Sequence, residues 1–497
     1  MRFAFPQTEL FARQDARECY RVAGDDISCS QTGLGQPIVD LKHQLTSLKS
    51  IFLGQGDTTS LRGRAMNSGA WIGAGFAVQK ALQFGSNLIL TRLLFPEAFG
   101  LMALASVFMV GLAMFSDVGI YPAVIRDPRG DDPDFLNTAW TVQAVRGLGL
   151  CAVGAAIAYP ISLIYEQPIL FPLLALLSTT AAISGFQSIS LATAERRLDF
   201  RRVTVIQVIS QIISITLLIT LSYLYRSVWS LAFSGVISTL ASVVLGHLLL
   251  PKHRHRFMLH SASAKSLFHF GRWILLSTLA TYLGGEGLKA IQGGLISPAE
   301  FGVLSIAYTI AAIPNELATK LAASIGLPAI AETYRAAPDR TSAVLHALRI
   351  RTLAVSLTLF AGAIVVAHPA IRLLYDPRYH AAADYLVALC AGNAIAAVAS
   401  GYNSAILAIG RASSYFLLIA SLAIIRIVAV LLGFHIDGIM GMLYGMACAN
   451  LVYIAITWIV AFRFKIIDLK MDIISIILVL SFLLVFSSVY HFMVHIL

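Results

Sequence analysis

The sequence predicts an all-α polytopic membrane protein: two parallel-repeat six-helix bundles around a central cavity, about twelve core transmembrane helices with one more at the C-terminus. Three observations predict it. Of the 497 residues, 58% are hydrophobic and only 12% charged, with a mean hydropathy of +0.78, where soluble domains carry roughly 25% charged residues. The apolar residues fall in uncharged runs of about 20, the length that crosses a bilayer. Finally, one phrase is written twice, as "FPEAFG" at Phe95–Gly100 and "SPAEFG" at Ser297–Gly302.

The elements follow in order. Residues 1–60 are polar and mixed in charge, without an apolar core of signal-peptide length. They are expected to form a disordered cytoplasmic extension, and "RGRAMNSGAW" reads as the natural start of the first helix. The predicted spans are Ser68–Leu94, Phe99–Val124, Leu136–Ile164, Ile169–Thr193, Val203–Leu224, Val228–Leu250, Leu267–Ile296, Phe301–Ile330, Leu348–Leu374, Ala383–Ile409, Ser413–Phe434, Gly438–Phe462 and Ile473–Ile496. The first six make an N-terminal bundle (61–251), a basic cytoplasmic linker follows (252–266), six more make a C-terminal bundle (267–464), and 465–497 carry the additional helix.

Loop charge sets the orientation. "ERRLDFRR", "PKHRHRF", "YRAAPDRTSAVLHALRIR" and "FRFKIIDLK" lie on one side, "FPEAFG", "YEQP", "YRS", "SPAEFG", "YDPRYHAAAD" and "HID" on the other. About twenty Lys and Arg face about four, which places the first side and the N-terminus in the cytoplasm. The same placement explains the net charge of +10 without nucleic acid.

The repeat has an offset of 202 positions, from Pro96 to Pro298. Without a gap it also relates Phe99 to Phe301, Gly100 to Gly302, Gly69 to Gly271, Trp71 to Trp273, Gly85 to Gly287 and Ala105 to Ala307. Six intervening spans, an even number, make the repeat parallel, with its axis along the membrane normal and a substrate crevice between the halves.

Charges at bilayer depth cost about 2.5–3.5 kcal/mol each, so those that remain point to function. Lys80 lies roughly 20 Å along the first span, with Gln83 and Asn87 on the same face. The seventh span offers the counterpart stripe Tyr282, Glu286 and Lys289. Arg146 sits on the third span, Glu316 and Lys320 on the eighth, and Arg426 is the lone charge in the middle of the eleventh. Lys80, Gln83, Asn87, Arg146, Tyr282, Lys289, Lys320 and Arg426 are candidate substrate-binding residues, since cations in a partly wetted cavity suit an anionic passenger. Asp117 and Glu286 are candidate coupling residues. Glu286 with Lys289 and Glu316 with Lys320 can equally neutralise each other within their own helices. Asp117, beside Ser116, also suits a local packing or salt-bridge role.

Five scattered cysteines imply no disulfide framework. His247, His253, His255 and His260 read as a solvated basic surface, because no Cys or carboxylate completes a metal set. No phosphate-cradling glycine loop, nucleophile elbow or paired catalytic carboxylates occur, so no cofactor and no enzyme activity are expected.

"RAMNSGAWIGAGFAVQKALQFGSNLILTRLLFPEAFGLMALASVF", "FSDVGIYPAVI" and "AERRLDFRRVTVIQVIS" resemble the polysaccharide-transport flippases of the multidrug/oligosaccharidyl-lipid/polysaccharide exporter superfamily, over Leu61 to about Phe462. The resemblance implies translocation of undecaprenyl-diphosphate-linked oligosaccharides across a bacterial inner membrane, for O-antigen, capsule or exopolysaccharide assembly. The implied partners are the lipid-linked glycan, the bilayer, and the polysaccharide polymerase and chain-length or export proteins. The long N-terminal extension and a single span after the twelfth depart from the family. The rivals are a cation-coupled multidrug or toxin exporter of the same superfamily, disfavoured by the excess of cations, and a membrane glycan polymerase or ligase, disfavoured by short outer loops.

Overall fold

The computed structural model describes residues 61–115, 120–127, 129–197, 199–251, 255–260, 278–279, 281–321, 341–408, 412–464 and five positions between 472 and 479. Among these no strand occurs. The N-terminal half comprises α1 (Leu61–Leu93), α2 (Pro96–Phe115), α3 (Ile120–Arg126), α4 (Pro133–Ile164), α5 (Leu170–Gly185), α6 (Ser190–Arg196), α7 (Phe200–Tyr225) and α8 (Val228–Leu249). The C-terminal half comprises α9 (Glu286–Leu295), α10 (Pro298–Leu321), α11 (Thr341–Leu374), a 3-10 turn (Pro377–Tyr379), α12 (Ala382–Ala408) and α13 (Ala412–Arg463). Among the described residues, seven helices are long and apolar enough to cross a membrane, or eight if the bent pair α5–α6 counts as one span.

The repeated phrase opens a helix in both halves. Pro96 and Pro298 begin α2 and α10, where proline's fixed φ and missing N–H suit the first turn. In the second copy Ser297 and Glu300 form a reciprocal capping box. The Ser297 amide donates to the Glu300 carboxylate at 2.9 Å, and the Glu300 amide to the Ser297 hydroxyl at 3.3 Å.

Two predicted spans are interrupted. Ile169–Thr193 breaks at Phe186, where α5 turns by 62° into α6. Gly185 packs directly on Gly147, and the Gln143 side-chain amide donates to the freed carbonyls of Ser184, Gly185 and Gln187 at 3.4, 3.2 and 3.1 Å. The break therefore leaves no orphaned acceptors there. The seventh span, predicted continuous over Leu267–Ile296, is broken at Gly285 (φ −118°, ψ −91°), and α9 begins only at Glu286. Consecutive glycines weaken a helix by about 1 kcal/mol each relative to alanine, and a hydropathy reading does not register this.

Helix α13 is one label for two spans. Asp437 and Gly438 leave the helical region, Gly438 at φ +50°, which only glycine adopts readily. A Cβ on Gly433 would strike the Gly441 carbonyl, and one on Gly445 the Ala429 carbonyl. These contacts show two antiparallel limbs folding back on small residues, matching the predicted spans Ser413–Phe434 and Gly438–Phe462.

The repeat also builds the joint between the halves. A Cβ on Gly100 would overlap the Pro298 carbonyl, and a Cβ on Gly302 would overlap the Pro96 carbonyl. The contacts mirror one another, so the pseudo-two-fold axis passes between these glycines. Around them, Tyr165 donates to the Ala290 carbonyl at 2.9 Å and Tyr379 to the Leu94 carbonyl at 3.0 Å. The Arg378 guanidinium stacks over Phe95 at 4.7 Å. Direct contact between the halves therefore closes the face that carries the "FPEAFG" and "SPAEFG" turns.

Asp376 holds Arg378 in place, accepting from its backbone and side-chain nitrogens at 3.0 and 2.8 Å. The side-chain bond from Arg378 holds the Asp376 carboxyl below the usual carboxylate range. A depressed carboxylate stabilises at all pH above its ordinary value and loses that stabilisation only as pH falls through the lowered one. The loss of thermal stability caused by Asp376→Asn should accordingly be constant from pH 8 to 5; a loss that shrinks within that range contradicts the clasp.

On the opposite face, Arg196 donates to the carbonyls of Val124, Ile125 and Asp127, and Arg197 bridges to Asp131 at 2.8 Å. The histidine cluster is not simply a solvated surface. His255 stacks on Trp140 at 5.1 Å and accepts from the Ile189 amide at 3.3 Å, while His247 pairs with the Phe186 carbonyl at 2.9 Å. Residues 255–260 run along the start of α4, the amides of Arg256, Met258 and His260 donating to Asn137, Thr141 and Thr138. The α5–α6 break supplies the polar seat that a loop reading lacks. His253 lies outside the described residues.

Candidate functional site: paired charges in the crevice

Lys80 projects from α1 into the space between the halves. Its ammonium donates to Glu316 on α10 at 2.9 Å and to Gln83 at 3.4 Å, and lies 5.6 Å from the Phe76 ring. The two side chains keep 22% and 40% of their surface accessible, so this bridge between halves stands in an open crevice. The expected in-helix partner of Glu316 was Lys320, whose side chain lies outside the described residues, as does Asp117. Asn87 is half-buried, two turns beyond Lys80.

Around the α9 break, Lys289 donates to Glu286 at 2.7 Å and sits 5.2 Å from the Tyr308 ring. The Tyr308 hydroxyl donates to Gln292 at 2.8 Å. Arg426 reaches the same break from α13, donating to the freed Gly284 carbonyl at 3.4 Å and to the Asn450 side-chain oxygen at 2.8 Å. Asn450 is fixed in turn by donating to the Gly392 carbonyl at 2.8 Å. Lys80 and Lys289 are thus neutralised by carboxylates, whereas the described partners of Arg426 are a neutral amide and a peptide carbonyl.

Two predicted residues lie elsewhere. Tyr282 is buried, not presented to the crevice: its hydroxyl donates to the Val107 carbonyl at 3.3 Å and its ring meets Phe115 edge-on at 4.9 Å. Gly111 makes the room, since a Cβ there would overlap the Tyr282 ring. Arg146 donates to the Ala113 carbonyl at 2.9 Å and lines an open cavity walled mainly by the N-terminal half. The structure therefore brings together Lys80, Gln83 and Glu316, and separately Glu286, Lys289 and Arg426.

Sequence reasoning missed Tyr308, Gln292 and Asn450. Asn450 had a signal, an amide in the apolar run "YGMACANLVYIAI". It also placed Arg349 in a basic loop, whereas the side chain is buried against Asp472 and Tyr402. Among the described residues no cluster of His, Cys, Asp or Glu could hold a metal ion.

The profile of the family described as "Polysaccharide biosynthesis protein" matches residues 89–384, more than half of the chain. The chain belongs to that family. Two relatives are the succinoglycan biosynthesis transport protein ExoT of Rhizobium meliloti (strain 1021), 22% identical over 60% of this chain, and the lipopolysaccharide biosynthesis protein WzxC of Escherichia coli (strain K12), 18% identical over 81%. The matches span 60% of ExoT and 82% of WzxC. The fold is similar to the lipid II flippase MurJ in an inward closed conformation, with a TM-score of 0.61 at 15% identity over 84% of this chain and 98% of that one. It is also similar to an inward-facing multidrug resistance MATE family transporter of the MOP superfamily, with a TM-score of 0.62 at 14% identity over 78% and 94%. With its apolar helices, this polysaccharide biosynthesis family member is a multi-pass membrane protein. Because flippase and drug exporter share the architecture, the fold does not choose between them.

Proposed function

We propose that the protein is a flippase that carries an undecaprenyl-diphosphate-linked oligosaccharide across the bacterial inner membrane, N-terminus cytoplasmic, by alternating access between its two halves. The Lys80–Glu316 bridge carries the reading: an ammonium held across an open crevice by a carboxylate on the opposite half. A diphosphate offers that ammonium more acceptor oxygens than one carboxylate does. Binding exchanges the partner, and the exchange releases the link between the halves. Lys289 undergoes the same exchange with Glu286, Arg426 meets the anion without one, and Gln83 and Asn87 hydrogen-bond the adjoining sugar. Lys320 and Arg146 add cationic character on the approach. The polyprenyl tail stays in lipid. The family and the relatives named for succinoglycan and lipopolysaccharide biosynthesis support a glycan cargo.

Lys80→Ala is expected to leave the protein inserted and to cut surface glycan at least about tenfold, the size of one lost charge-assisted contact, about 1.5–3 kcal/mol. Normal glycan in both Lys80→Ala and Arg426→Ala cells, measured by gel staining, removes the assignment. The second reading, export of cationic compounds, draws on the crevice carboxylates Glu286 and Glu316. It requires that Glu316→Gln abolish ethidium efflux from vesicles, where the flippase reading expects no efflux from the outset.

A further inference from the structure

A second, open cavity of about 840 Å³ is walled mainly by the N-terminal half, with Thr278 contributed by the other half, and falls within the range of about 300–1,000 Å³ that holds a drug-sized ligand. Among the described residues its walls carry five glutamines (Gln79, Gln143, Gln187, Gln207 and Gln211), several serine and threonine hydroxyls and one cation, Arg146, with no Asp or Glu. Gln143 is buried, Gln79, Gln187 and Gln211 are half-buried and Gln207 is exposed, so most of these amides border open space.

Internal hydrogen bonds account for only part of them. Gln79 donates to Gln207 at 3.2 Å, Gln211 to the Gln79 carbonyl at 2.9 Å, and Gln187 to the Ser242 carbonyl at 3.4 Å. These bonds fix the amides and leave their remaining donors and acceptors at the cavity wall. Gln143 uses its NH₂ group on the α5–α6 break, yet its Oε1 has no partner although the residue is only 7% exposed. Ser210, 4% exposed, likewise has an unpartnered hydroxyl. Those two atoms are sealed from solvent; the remaining groups of Gln79, Gln187, Gln207 and Gln211 give the wall fixed, uncharged donors and acceptors interleaved.

That pattern matches one ligand chemistry. A diphosphate calls for several cations, a cationic drug for carboxylates, and an acyl chain for hydrocarbon. A pyranose ring bears hydroxyls that each donate and accept, which amides and serine hydroxyls complement without charge. The cavity also adjoins the crevice: Gln79 and Lys80 are consecutive on α1, about 100° apart around the helix.

We propose that this cavity is a carbohydrate subsite, which receives the sugar portion of the passenger while its diphosphate occupies the crevice beside Lys80. The assignment rests on the flippase reading and deepens it.

The test uses the full chain in lipid nanodiscs, binding measured by native mass spectrometry with two probes: bare undecaprenyl diphosphate, and the lipid-linked oligosaccharide pool extracted from the native cells. The wild type should hold the glycosylated pool at least tenfold more tightly than the bare lipid. Gln207→Leu with Gln211→Leu should erase that difference and leave binding of the bare lipid unchanged. Ser238→Ala, on the same wall and half-buried, should do the same. In the wild type, amide exchange at residues 184–188 should slow with the glycosylated probe and not with the bare one, a readout independent of any variant's folding. Equal wild-type affinity for both probes, or variants that weaken both alike, overturns the subsite and leaves the flippase reading standing. A wild type that binds neither probe overturns the flippase reading itself.

Discussion

Asp472→Ala should destabilise the protein by about 3–5 kcal/mol, the cost of removing one partner from a buried ion pair. Asp472 is fully buried and Arg349 is 5% exposed. The carboxylate accepts from the Arg349 guanidinium and, at 2.5 Å, from the Tyr402 hydroxyl. Arg349 also donates to the Val398 carbonyl at 3.1 Å and stacks on the Tyr402 ring at 3.8 Å. A Cβ on Gly401 would collide with the arginine stem, so the site is built around that side chain. Removing the carboxylate leaves a guanidinium charge buried without its counter-ion, and that uncompensated charge is the main cost. The double variant Arg349→Leu/Asp472→Leu should recover most of the loss, because replacing both charges with apolar groups is often neutral. Thermal unfolding in detergent, followed by intrinsic fluorescence for the two single variants and the double, measures the cycle. If Asp472→Ala melts with the wild type, the network is not structural.

Gly100→Val and Gly302→Val should each abolish transport, and to a similar degree. A side chain on either glycine enters the space of the opposite half's proline carbonyl, so the turn-bearing face cannot close. Closure has no alternative register here, because the neighbouring contacts at Leu94 and Ala290 fix it. A cysteine placed at Leu104, 4% exposed in the closed face, should label faster with a water-soluble maleimide in both variants. Normal glycan export by Gly100→Val, or unchanged labelling, would show that the glycine pair is not the closure. A large difference between the two variants would contradict the pseudo-two-fold arrangement.

The pairing of Gly100 with Gly302 was legible because a repeat announces itself by constant offset, and equivalent positions meet on a symmetry axis. The spans were legible wherever hydropathy alone decides them, including the two limbs of α13. What escaped was contact between distant segments. Glu316 is four residues from Lys320, and helical spacing speaks only for its own helix; nothing in the sequence says that Lys80, 236 positions away, takes that carboxylate. Arg349 follows a polar loop, and its burial depends on Asp472, which lies in a segment of unremarkable polarity. The breaks at Phe186 and Gly285 hid inside apolar runs, since a window average responds to side chains and not to the satisfaction of carbonyls. Lys289 with Glu286 was the exception: a local pair, read correctly as one of two possibilities.

The two lysine–carboxylate pairs carry a consequence for energetics. Each elementary charge displaced through 100 mV of membrane potential involves about 2.3 kcal/mol. With Lys80 matched by Glu316 and Lys289 by Glu286, the empty carrier resets without those charges doing electrical work. In vesicles clamped by a potassium ionophore, any voltage dependence of the resetting rate should come from cations such as Arg426, whose described partners are neutral, and should not change when either lysine–carboxylate pair is replaced by an uncharged pair.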